Sequence, residues 1–123
     1  MIYNVILGSR KWEKPETVGE NPMTGRHGHT ACAYEKGIII FGGQHRFNPV
    51  LNFRECLNDV RLYLTDTQEW KLLNCSGKAI ETRRNHTATI HKNKMYVYGG
   101  VTIEGKSLKD VWILDLSNFE SCL

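Results

Sequence analysis

The stretch RHGHTACAYEKGIIIFGG, residues 26–43, returns as RRNHTATIHKNKMYVYGG, residues 83–100. Both carry an Arg, then His-Thr-Ala three residues on, an apolar run and a closing Gly-Gly. His29 to His86 and Gly42 to Gly99 are each 57 residues apart, so the register holds without a gap. A repeat at fixed period constrains a fold more than any local signal, because each copy must be one supersecondary unit that buries its apolar face on its neighbour. The match runs on past the glycines: LNDVRLYL, residues 57–64, answers LKDVWILDL, residues 108–116. IYNVILGSRKW, residues 2–12, aligns with VRLYLTDTQEW, residues 60–70, and supplies the tail of a still earlier copy.

Short β-branched and aromatic runs bounded by Gly, Asn and Asp predict four strands per unit. Strand A is expected over residues 29–35 and 86–91, strand B over 37–42 and 94–99, strand C over 59–64 and 110–116, and strand D over 69–74. EKG and HKNK read as tight turns between A and B. No window places apolar residues at i, i+3, i+4 and i+7 between caps, so no helix is predicted. The paired glycines are expected to close strand B, since glycine allows positive φ and a close backbone approach.

Joined in this order, the features resemble the kelch repeat over nearly the whole chain. Its double glycine, following aromatic and final Trp fall on Gly42, Gly43, Tyr63 and Trp70. In the second unit they fall on Gly99 and Gly100, with Leu114 in place of the aromatic and Ser121 in place of the Trp. The resemblance implies an all-β fold of four-stranded antiparallel kelch blades. Residues 1–12 would end a preceding blade, 26–74 would form a complete blade and 83–123 an incomplete one, together a partial β-propeller of about two and a quarter blades. Rings close with about 4–8 blades. The region is therefore expected to be a segment of a larger propeller, with the missing blades elsewhere in a longer chain, or to self-associate.

Composition excludes little. The 123 residues have a net charge of +3, too mild to argue for nucleic acid. The longest apolar run, Ile38 to Phe41, is far short of a membrane-spanning helix, and the first residues lack the basic start of a signal peptide. Cys32, Cys56, Cys75 and Cys122 match no metal-site or disulfide spacing, which leans towards a cytoplasmic, reducing setting. The sequons at Asn74 and Asn85 would matter only in a secreted protein.

Kelch propellers serve mostly as scaffolds or adaptors, so the resemblance implies a non-enzymatic module that binds a protein partner and needs no cofactor or metal. The antiparallel meander puts the long B–C and D–A connections on one face, the usual place for binding. The longest, residues 44–57, offers Arg46, Phe47, Asn48, Phe53 and Arg54 as anchors, with Arg83 and Arg84 nearby. Counted over its loops that face is mildly basic, which suits an acidic patch on a partner. Phe47 and Phe53 could equally fold under their own loop. Matched positions in a repeat usually serve the repeat. Arg26, His29, Asp59, Arg83, His86 and Asp110 are therefore read as structural. Each Arg is expected to pair with its Asp or to hold loop carbonyls. Trp12 and Trp70 are expected to pack between blades. The alternatives are part of a galactose-oxidase-like or other kelch-type enzyme, for which all five tyrosines look instead like strand packing, and a truncated fragment without function.

Overall fold

The computed structural model describes residues 4–6, 10–22, 25–45 and 55–117. Its strands are β1 (Asn4–Ile6), β2 (Lys11–Glu13), β3 (Val18–Gly19), β4 (Arg26–His27), β5 (Thr30–Tyr34), β6 (Gly37–His45), β7 (Cys56–Leu64), β8 (Glu69–Leu73), β9 (Thr87–His91), β10 (Lys94–Tyr98) and β11 (Val111–Asp115). β5 to β8 form an antiparallel meander, the complete blade. β9 to β11 repeat its first three strands, and β1 pairs with β2 as the last two strands of a preceding blade. The whole is a partial propeller without a helix among the described residues.

The blades stack because alternate residues of each strand are apolar. Ile39, Phe41, Val60, Leu62 and Leu73 of the complete blade bury against Met95, Val97 and Leu116 of the next. On the opposite face Tyr63 sits across from Trp70 in the β7–β8 register, their rings 5.1 Å apart. The innermost strands β5 and β9 carry small side chains and approach closely, so that the Cys32 thiol donates to the Ala88 carbonyl at 3.5 Å.

Short turns and long connections separate cleanly. The Thr65 N–H and hydroxyl both donate to the Lys36 carbonyl, which ties a C–D turn to an A–B turn, and Leu116 N–H donates to Asn93 in the same way. On the other face Asn85 N–H reaches Gly28, Gly43 N–H reaches Arg83, and Arg83 N–H reaches Leu57.

Three expectations need correction. Gly42–Gly43 does not end strand B in the complete blade. β6 continues to His45 through a bulge between Phe41 and Gly43, and β7 starts early at Cys56. Only in the next blade does the strand stop before the glycines. Second, the connection before the complete blade, read as loop, holds two short strands. β3 runs parallel to the outer edge of β8, and β4 pairs with the extension of β6. Third, Trp70 is buried at 3% exposure but Trp12, on the three-residue strand of the β1–β2 hairpin, is 67% exposed.

Candidate interaction face

The scaffold beneath the long connections is one device used twice. Arg26 donates to both carboxylate oxygens of Asp59 at 2.7 and 3.0 Å and to the Gly42 carbonyl at 3.0 Å. Arg83 donates to both oxygens of Asp110 at 2.7 and 2.9 Å and to the Gly99 carbonyl at 2.9 Å. The planar guanidinium fork suits this, since it can engage a carboxylate bidentately and keep a donor for the backbone. The carbonyl it holds belongs to the first glycine of each pair, so the Arg braces the glycine corner onto the start of strand C. Arg83 Nε also donates to the Glu81 carbonyl.

Each Asp has a further partner that sequence reasoning missed. Arg61 Nε donates to Asp59 at 2.7 Å, and Trp112 Nε1 donates to Asp110 at 2.6 Å. Both stand two residues after their Asp, on the same side of the strand, and that matched spacing was the available signal. The hydrogen bonds from Arg83 hold the Asp110 carboxyl well below the usual carboxylate range. Burial pushes Asp59 upward, but the bonds from Arg26 and Arg61 outweigh it and its pKa is lowered.

The two glycines of each pair do different jobs. A Cβ on Gly43 would stand 2.9 Å from His29 Cβ, and one on Gly100 would stand 3.1 Å from His86 Cβ, so the second glycine makes room for its own blade's histidine. A Cβ on Gly42 would stand 2.9 Å from His86 Cε1, so the first makes room for the next blade's histidine. His86 is wedged there, 6% exposed, its Nε2 3.0 Å from the Thr30 hydroxyl and its ring edge-on to Phe41. Burial, and next the Arg83 charge, lower its pKa to about 4. His29 has no preceding strand A among the described residues and is exposed.

Arg83 is fully buried and belongs to the framework. Arg84 is half-buried above it, and its Nε has no hydrogen-bond partner among the described residues. Burial pushes the neighbouring Cys56 thiol up, against the opposing charge of Arg84. With Arg26 and Arg83 paired internally, the exposed charges described on this face are Lys14, Lys78 and Lys106 against Glu13, Glu16, Glu20, Glu55, Glu81 and Glu104. The basic excess of two expected from sequence rests on Arg46 and Arg54. Arg46, Phe47, Asn48, Phe53 and Arg54 lie outside the described residues. Among those described, no group of three or more His, Cys, Asp or Glu could hold a metal ion.

Comparison with known proteins agrees with this geometry. The family model described as the KLHDC2/KLHL20/DRC7 Kelch-repeats domain matches residues 1–122. Kelch domain-containing protein 3 of Rattus norvegicus is 33% identical over 100 residues, covering 81% of this chain and 25% of that protein. Dynein regulatory complex subunit 7 of Chlamydomonas reinhardtii is 32% identical over 111 residues, 89% of this chain and 9% of that protein. An F-box/kelch-repeat protein of Arabidopsis thaliana is 35% identical, over 87% of this chain and 22% of that protein. The chain thus spans about a quarter or less of the length of these relatives. The solved structure of YjhT superimposes with a TM-score of 0.64 over 81% of this chain and 27% of that one, at 24% identity, which speaks to the fold.

Proposed function

Because this chain belongs to the KLHDC2/KLHL20/DRC7 Kelch-repeats domain family, we propose that it is a non-enzymatic protein-interaction module, a scaffold or adaptor that binds a protein partner through its long connections. The observation that carries this reading is the asymmetry of the two faces. Among the described residues one face holds tight turns tied to each other. The other gathers the long connections on a framework braced by two bidentate Arg–Asp pairs. Variable loops on a rigid base are how binding surfaces are built. The subunit of a dynein regulatory complex among the relatives is, by its name, part of a protein assembly. Further blades complete the ring, and the setting is reducing and cytoplasmic, in keeping with Cys32 and Cys56 being free thiols.

Within this face the contact residues are Arg46, Phe47, Asn48, Phe53, Arg54 and Arg84, whereas Arg83 is buried in the framework. Cross-linking mass spectrometry on extracts of the source cells tests the reading. Phe47→Ala, Phe53→Ala and Arg84→Glu should each deplete the same cross-linked partner at least tenfold, whereas Lys36→Glu and Asp66→Lys on the turn face should leave it bound. Equal loss from both faces, or from neither, would refute it.

A further inference from the structure

The two D-to-A connections are fastened differently. The first lays β3 along the outer edge of β8, where the Val18 and Glu20 N–H groups donate to the Gln68 and Trp70 carbonyls at 3.1 and 2.9 Å. Gly19 lies flat on that edge: its φ is 88°, and a Cβ there would run into the Trp70 carbonyl oxygen. Asn21 N–H then donates to the Gly19 carbonyl at 2.8 Å, and Asn21 Nδ2 to the Thr17 hydroxyl at 3.2 Å, so the chain turns off the edge at once. The same connection rejoins the sheet as β4, at the other end of the strand order β3-β8-β7-β6-β4. It therefore passes from one side of β7 to the other.

Arg61, on β7, catches it on the way. Its Nη1 donates to the Glu20 carbonyl at 2.8 Å while its Nε donates to Asp59 at 2.7 Å. Asp59 in turn takes Arg26, at the start of β4. Two guanidiniums on one carboxylate thus hold the connection at Glu20 and again at Arg26. An arginine suits position 61 because its fork keeps donors to spare once a carboxylate is engaged. The matched residue of the next unit, Trp112, has a single donor, and Asp110 takes it at 2.6 Å. The second connection is held instead from the blade it leaves, by Asn58 Nδ2 on the Ile80 carbonyl at 2.9 Å.

We propose that Arg61 is a positioning residue of the interaction face, which fastens residues 14–22 as a fixed strap on the complete blade. What it fixes is surface, since Glu16, Val18 and Glu20 are exposed. β3 pairs over two residues only, and so short a pairing on an exposed edge opens easily by itself. A charged donor on the adjoining carbonyl closes it more firmly than a neutral one would. β4, which ends the same connection, pairs with the part of β6 that leads into the 44–57 connection. Strap and 44–57 connection therefore share the Arg26–Asp59 base. That the strap borders a bound partner rests on the partner-binding reading, whereas its fastening by Arg61 does not.

Amide hydrogen exchange, read residue by residue on the full chain without partner, is the test. Arg61→Trp copies the next blade: it keeps a donor for Asp59 and loses the reach to Glu20. The Val18 and Glu20 amides should then exchange about tenfold faster or more, with the amides of β5 and β6 unchanged. Arg61→Lys is the milder change and should speed the same two amides by less; should Arg61→Trp not fold, it alone decides. Asn58→Ala should leave both amides as in the parent. Val18 and Glu20 amides that keep the parent's rates, a rise shared equally by β5 and β6, or the same rise in Asn58→Ala would each overturn the proposal. In the cross-linking assay Arg61→Trp should lower recovery of the partner about threefold or more, and a loosened strap with full recovery would overturn the positioning role. If Phe47→Ala and Phe53→Ala deplete no partner, the partner-binding reading fails by itself, and the exchange rates still decide whether Arg61 fastens the strap.

Discussion

Arg83→Ala is the sharpest probe of how the long-connection face is held. The guanidinium is fully buried and makes two bonds to Asp110, one to Gly99 and one to Glu81. Removing it leaves the Gly99 carbonyl without that donor and Asp110 without its bidentate partner, and it opens a cavity beside the glycine corner. Bonds to charged groups are worth about 1.5–3 kcal/mol each, but they do not sum, and the Asp110 side chain is 38% exposed and recovers water. Trp112 Nε1 also remains. The net loss should be about 3 kcal/mol, at the lower edge of the 3–5 kcal/mol for breaking a buried pair. For a chain of this size that is a drop of roughly 10 °C in the midpoint of thermal unfolding. In urea, the midpoint should fall with an unchanged slope. Arg83→Lys should recover less than half, since a point charge cannot hold two oxygens and a carbonyl together. Arg26→Ala should cost about half as much as Arg83→Ala, because Asp59 keeps Arg61 at 2.7 Å. A loss below about 1 kcal/mol for Arg83→Ala, or a larger loss for Arg26→Ala, would refute the bracing argument.

Gly43→Ala should destabilise by about 1–3 kcal/mol in a thermal melt, because φ is +95° and the added Cβ would crowd the His27 carbonyl and His29. Tyr63→Phe should be neutral or slightly stabilising in the same melt, since the buried Tyr63 hydroxyl has no partner among the described residues, and a clear loss would show that it has one. His86 should make stability fall with acid. Its pKa is about 4 in the fold against an ordinary 6.5, so the unfolded chain takes up the proton first. Its contribution is complete above pH 6.5 and lost between about 6.5 and 4, about 3 kcal/mol in all. Urea titrations across that window should show a slope that His86→Gln lacks.

What the linear chain determined here follows from its repetition. Gly-Gly at matched spacing, His-Thr-Ala and the Leu-x-Asp-Val run mark equivalent places in successive blades, and equivalence is a property of sequence. It was enough for the strand order, for the face that collects long connections, and for the expectation that Arg26 and Arg83 each meet an Asp. It was not enough wherever equivalent residues have unequal neighbours. His29 and His86 occupy the same position, yet only His86 is pressed between two blades. Trp12 and Trp70 do likewise, yet Trp70 is buried on a five-residue strand while Trp12 is exposed on a three-residue one. β3 and β4 escaped notice because two-residue strands have no period to read, and because β3 exists only through the edge of β8 on which it lies. Arg83, offered by sequence both as a contact and as a framework residue, is fully buried, and a count of arginines cannot tell a solvated guanidinium from one already bound to a carboxylate inside the fold. Burial and pairing depend on what the adjoining blade places within a few ångströms, and only the tertiary structure decides that.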